Sequence, residues 1–313
     1  MSGTLSALAP VFGLIVLGYL LKSRGGFTEA FWDPAERMTF YILFPALLVT
    51  KIGGAEAVGV GLLPMAAAMA AATLIVALFI SFFRSGLQKS GIDGPGFTSI
   101  FQGAIRPNTF IGMAAAYALF GDLGLTLAAA AIIAVIPLVN ILSLTALYRW
   151  AGAGPAEPKQ RRGWGDAMVP AFKNPIILAC LFGAALNMTG LGLPPVVGPM
   201  LKIIGSAALP LGLMAVGAGL DLGAARKVRG PIAGAAVLKL AVMPALTYAI
   251  CRVFDVTGSA LTVAVLFMAL PVASASYVMA RQLGGDGALM AGIITVTTIA
   301  AALTLPVTIF LVG

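Results

Sequence analysis

Long apolar runs separated by short polar connectors organise the chain. The runs lie near 4–22, 37–53, 59–83, 97–119, 125–150, 174–190, 194–220, 231–251, 258–281 and 286–312. A helix needs roughly 20 residues to cross the hydrocarbon of a bilayer, so the pattern predicts an all-α membrane protein with ten transmembrane helices. The first run is too long, and too weakly basic at its start, for a cleaved signal peptide and counts as a permanent span. One polar connector of length, AGAGPAEPKQRRGWGDAMVPAFK at 151–173, separates residues 1–150 from residues 174–313. It reads as a linker between two five-helix halves.

Composition agrees with lipid as the main solvent. Hydrophobic residues make up 60% of the 313 and charged residues only 10%, against about 25% charged in a soluble domain. No sizeable soluble domain fits between the spans. The chain has no histidine, which removes a Ser/His protease, an HExxH metal site, haem ligation by histidine and imidazole proton relays. Cys180 and Cys251 lie in apolar runs and read as small buried hydrophobes, with no disulfide framework and no cysteine metal site. Without paired acids or zinc ligands inside the spans, an enzyme is not expected, nor any cofactor.

The net charge of +8 has a topological explanation. Connectors after the odd-numbered spans hold Lys22, Arg24, Arg37, Arg84, Lys89, Arg149, Lys159, Arg161, Arg162, Lys173, Arg226, Lys227, Arg229 and Arg281, whereas the opposite connectors hold Lys51 and Arg252. Basic connectors stay on the cytoplasmic side, so both termini are expected outside, in a plasma membrane of the bacterial inner-membrane type. The bilayer is then the partner of the basic residues, and nucleic acid is not.

The halves echo one another at a nearly constant lag of about 165 residues, as internal repeats of carriers do. Pro10 meets Pro175, Gly18 meets Gly183, Pro45 meets Pro210, Pro107 meets Pro271, and Gly121 with Asp122 meets Gly285 with Asp286. Five spans per half is an odd number, so the second half must enter the membrane from the opposite side. Two inverted five-helix repeats are the architecture of secondary transporters. Pro107 and Pro271 fall near the middles of spans 4 and 9, where a missing N–H and a ring clash predict broken helices. Irregular backbone at that depth survives only when protein or a wet cavity covers it, so the two breaks are expected to cross and to share one central site. Pro45 and Pro210 have apolar flanks and read as kinks.

At these positions the sequence resembles the auxin efflux carrier superfamily, which includes plant PIN carriers and bacterial malonate-carrier-like members. The resemblance rests on Arg106, Pro107, Asn108, Thr109, Phe110, Ile111 and Gly112 with Phe120 and Gly121, then on Leu270 and Pro271 with Ala280, and on the closing Leu305, Pro306, Val307 and Thr308. It covers essentially the whole chain. It implies a fold similar to that of the bile acid sodium symporters, with a scaffold domain and a transport domain whose crossed, broken helices hold the substrate. It also implies an organic anion as cargo. Two features depart from the PIN pattern: the linker is short, and no asparagine stands beside Pro271, where Ser274, Ser276 and Tyr277 are offered instead.

The eleven acidic residues all fall at span ends or in connectors, while Arg106, Lys202 and Lys239 fall within spans. A charge at the centre of a membrane helix costs about 3 kcal/mol or more and usually marks a pathway. Arg106 adjoins the first break, where a guanidinium can grip a carboxylate with two parallel hydrogen bonds and Asn108 adds a donor and an acceptor. It can instead pair with carbonyls bared by the break, or reach cavity water. Lys202 lies near a span end and can snorkel, whereas Lys239 is open to a cavity role or a packing role. Asn140 either lines the cavity or bonds across helices, and Gln102 either orients Arg106 or faces water. Ser274 and Ser276 either bond the preceding turn or serve the site.

Together these features predict a secondary transporter that moves a small carboxylate, auxin-like or malonate-like, by alternating access. The substrate-binding candidates are Gln102, Arg106, Pro107, Asn108, Thr109, Asn140, Lys239, Pro271, Ser274, Ser276 and Tyr277. Proton, sodium or no coupling all stay open, and a homodimer is compatible with the sequence. A sodium-coupled bile-acid-like symporter is the alternative of the same class, and an anion channel the alternative of another.

Overall fold

The computed structural model describes residues 2–54, 62–151, 174–227 and 229–312. Most of the predicted linker, with Lys159, Arg161, Arg162 and Lys173, lies outside the described residues. Those residues are helical, apart from connecting turns and an isolated bridge between Pro107 and Val272. Among the described residues, six helices are long and apolar enough to cross a membrane: Gly3–Ser23, Leu62–Phe82, Thr109–Trp150, Val197–Ala218, Gly230–Val253 and Gly287–Val312. Pro175–Thr189 and Gly258–Met268 are shorter apolar helices. The protein is thus a multi-pass membrane protein, and large side chains such as Leu63, Phe82, Leu303 and Leu311 are exposed where acyl chains would solvate them.

The chain forms two compact units. The first comprises Met1–Leu63, Thr109–Ile133 and Phe172–Leu220; the second comprises Pro64–Asn108, Ala134–Ala171 and Asp221–Gly313.

Small residues determine packing in the first unit. Lipid tails are as apolar as leucine, so helices associate by fitting their surfaces, and glycine permits the closest approach. Gly18 lies against the backbone of Met214, and Gly217 against the backbone of Ile15, which locks the Ser2–Ser23 helix onto Ala208–Ala218. Gly205 faces Leu47 in the same way. The Thr109–Trp150 segment is interrupted at Gly121, whose φ of 58° and ψ of −137° no helix adopts. Next to it, Asp122 pairs with Lys51 at 2.8 Å, and the ammonium lies 5.5 Å from the Tyr117 ring centroid.

Pro45 was expected to kink its helix, and a π turn, one of the irregularities at which helices kink, stands immediately before it. The helix widens to a π turn over Thr39–Leu43, in which Phe44 N–H bonds the Thr39 carbonyl. Proline cannot donate to the carbonyl four residues earlier and its ring would strike it, and the wider turn moves that carbonyl away. The same device recurs in the second unit, where a π turn over Leu238–Val242 precedes Pro244.

The second unit packs Ile100, Ile232, Ala235, Val272, Ala280, Leu289, Met290 and Ile293 into one core. Aspartates cap its helices: Asp93 accepts from Gly96 N–H at 2.8 Å, Asp221 from Ala224 N–H at 2.9 Å and Asp286 from Leu289 N–H at 2.9 Å. Each satisfies a first-turn N–H that would otherwise lack a partner. Asp286 also ties the last helix to the Gly94–Ile105 helix, because its carbonyl accepts from Ser99 Oγ at 2.8 Å and its N–H donates to Pro95.

Candidate functional site: two helix breaks joined by a backbone bridge

In the second unit two helices stop where their prolines require it. The Gly94–Ile105 helix ends at Arg106, which is extended (φ −89°, ψ 111°) as the residue before a proline must be. The Gly258–Met268 helix ends before Pro271, and a helix resumes at Ala275. The two irregular segments then satisfy each other. Asn108 N–H donates to the Pro271 carbonyl at 2.9 Å, and Pro107 pairs with Val272 as an antiparallel bridge. Val272 N–H donates to Thr297 Oγ1 at 3.2 Å, while the Thr297 hydroxyl reaches the Ile293 carbonyl at 2.7 Å. Buried backbone groups left unpaired cost as much as a lost hydrogen bond, so these links are what make two breaks tolerable at buried positions.

Both cations with a central sequence position converge on this region. Arg106 is buried, 7% exposed, and its Nη1 lies 3.2 Å from Met279 Sδ. A thioether is a weak acceptor. Arg106 Nε has no partner and, among the described residues, no carboxylate pairs with the guanidinium. Lys239 is fully buried, and its Nζ donates to the Met268 carbonyl at 3.0 Å. Lys202 is exposed on the Val197–Ser206 helix of the first unit.

The other predicted residues differ in burial and in hydrogen-bond partners. Gln102 is fully buried one turn before Arg106, and neither end of its amide has a hydrogen-bond partner. Ser276 is fully buried with an unpartnered hydroxyl, one turn before Met279. Thr109 starts the helix after the first break and is half-buried, as are Ser274 and Asn140. Asn140 Oδ1 has no partner, nor has the hydroxyl of Ser143 one turn further on. Tyr277 is partly exposed and its hydroxyl accepts from Arg281 at 3.4 Å. It lines a cleft of about 410 Å³ with Asp221, Ala224 and Arg281, a lining that includes none of Gln102, Arg106 or Asn108.

Thr297 and Met279 are residues that sequence reasoning did not single out. Methionine in an apolar run carries no signal, but Thr295, Thr297 and Thr298 form a hydroxyl cluster in an otherwise apolar helix, and all three are buried. That cluster was a readable sign. Thr297→Val leaves Val272 N–H buried and unpaired, so it is expected to lower stability by about 1–3 kcal/mol. Thr304→Val removes a buried hydroxyl that has no partner, so it should leave stability unchanged or raise it by up to about 1–3 kcal/mol. Thermal unfolding of the two variants in detergent checks the difference.

The sequence matches the family described as "Membrane transport protein" across residues 4–309. It is also 24% identical over 308 residues to a protein of Methanothermobacter thermautotrophicus described as an uncharacterized transporter, an alignment that covers 97% of each chain.

Proposed function

Since the chain belongs to the membrane transport protein family, a family of auxin-efflux-type carriers and not of enzymes, we propose that it moves a small organic anion across a plasma membrane by alternating access around the two breaks. The observation that carries this reading is Arg106. It is a buried cation beside interrupted backbone, without a carboxylate partner among the described residues and with a thioether at its Nη1. A charge so placed is stabilised when a substrate carboxylate bonds its two donors side by side. Asn108, held by its backbone on Pro271, adds polar groups that orient the anion, while Gln102 and Ser276 supply donors and acceptors from the flanking turns. The cargo is a mono- or dicarboxylate of auxin-like or malonate-like size.

Element spacing supports the ten-span inverted repeat, with 1–150 and 174–313 as its copies and 151–173 as the linker. Helices start at Gly94 and Gly258, breaks follow at Pro107 and Pro271, and glycines with positive φ follow at Gly121 and Gly284. The near-constant separation is what duplication leaves behind. The charge bias of the connectors supports placing both termini outside. The first compact unit acts as scaffold and the second as the moving, substrate-bearing part.

A thermal-shift screen of purified protein against mono- and dicarboxylates, followed by uptake into proteoliposomes, tests the proposal. Saturable, exchangeable uptake of a stabilising carboxylate is expected. A substrate-independent conductance would replace the carrier with a channel, and uptake that collapses without sodium would favour the bile-acid-like symporter. Asn108→Ala should weaken binding of the carboxylate about tenfold, the value of one good hydrogen bond to a charged group. Asn140→Ala should weaken it less, and the reverse order in calorimetry would move the site toward the 122–150 helix.

A further inference from the structure

The second break holds a cation that carboxylate binding leaves without a task. Lys239 is fully buried, and its ammonium is directed at a backbone carbonyl. The position is built by two local features. Pro244 accompanies a π turn over Leu238–Val242, and Lys239 sits inside that turn, so its direction along the helix face is set by the widened backbone. The acceptor, Met268, is the last residue of the half-helix that stops at the break. The final carbonyls of a helix lack intrahelical donors and carry the negative end of its dipole, so a positive charge is stabilised there. Among the described residues no acid forms an ion pair with Lys239. The end of the half-helix is therefore its counter-charge.

The two breaks thus use their cations in opposite ways. At the first, Arg106 meets a thioether and keeps donors in reserve. At the second, Lys239 is committed to a carbonyl of the protein itself. Half-helix C-termini and unwound carbonyls are where broken-helix carriers hold an inorganic cation. An ammonium on a side chain has the same charge, and its tether removes the entropy of capturing a free ion.

We propose that Lys239 is a resident cation standing in the monovalent-cation position of the second break, so that the carrier holds this break together without sodium or potassium. The inference deepens the carrier reading above and rests on it for its functional meaning. Its structural content, however, is testable without any organic substrate.

The purified protein is melted in sodium, potassium or choline chloride at equal ionic strength. The wild type should melt at one temperature in all three. Lys239→Ala should melt lower in choline and recover about 3 °C or more in sodium, potassium or methylammonium chloride, because a small cation now binds only the folded state. Lys239→Arg, which keeps the charge, should stay insensitive to the salt. The proposal is overturned by a wild type stabilised by sodium over choline. It is equally overturned by a Lys239→Ala protein that melts like the wild type in choline, or by one weakened alike in every salt. Should Lys239→Ala fail to fold, the wild-type comparison and the same salt series on Lys239→Met decide. Absence of carboxylate flux would sink the carrier reading and leave these melts unaffected, whereas a sodium-stabilised wild type would sink the resident cation and leave the flux intact.

Discussion

Replacing Arg106 by alanine is expected to cut carboxylate uptake by reconstituted protein at least about 100-fold, since two charge-assisted hydrogen bonds of about 1.5–3 kcal/mol each are lost. The protein itself should remain folded. Arg106 has Met279 Sδ as its side-chain partner and has already lost most of its hydration, so removing the guanidinium relieves a desolvation cost about as large as the packing it forfeits. Arg106→Lys keeps the charge and loses the planar fork, and an intermediate loss of about tenfold is expected. Uptake kinetics in proteoliposomes, with thermal melts alongside, separate the two effects. Wild-type kinetics in Arg106→Ala would take this residue out of the transport site.

The largest effect on stability is expected at Gly217. A Cβ there would overlap the Ile15 carbonyl, and one at Gly18 would overlap the Met214 carbonyl. Both obstacles are backbone, so no rotamer change relieves them, and the Ser2–Ser23 and Ala208–Ala218 helices must move apart. Overpacking of a well-fitted interface costs about 1–3 kcal/mol, and here the separation also strips neighbouring contacts, so Gly217→Ala is expected at the top of that range or beyond. Gly13 lies on the same Ser2–Ser23 helix with nothing within 4 Å of a built Cβ. Gly13→Ala should therefore be neutral or stabilising by up to about 1 kcal/mol, the difference in helix propensity. Equal melting temperatures for Gly217→Ala and Gly13→Ala would show that the two helices do not touch as described.

Legibility differed from residue to residue. Pro107 announced its break because a missing N–H acts locally, and Arg106 announced its importance because an intramembrane charge has a known cost. The π turn before Pro45 was not legible, because a proline in the sequence says that the helix is disturbed and not whether it also widens. Lys239 stood open between cavity and packing, and the choice depended on where a flexible four-carbon stem ends. Thr297 was passed over although its hydroxyl holds Val272 N–H, because a threonine in a membrane helix usually bonds its own preceding turn, as Thr298 does here with Ile294.

The amino-acid sequence by itself determined that lipid is the solvent, roughly where apolar helices begin and end, which of them proline interrupts, and the membership of a transport family. Those properties follow from transfer free energies and backbone sterics, which act over a few residues. Only the tertiary structure decided that Pro107 lies across from Val272, that Lys239 reaches Met268 and that Arg106 points to Met279. Each pair joins residues far apart along the chain. Inside a bilayer hydrophobicity does not choose between a neighbouring helix and an acyl chain, so partners are selected by shape and by the few polar groups that must find one another.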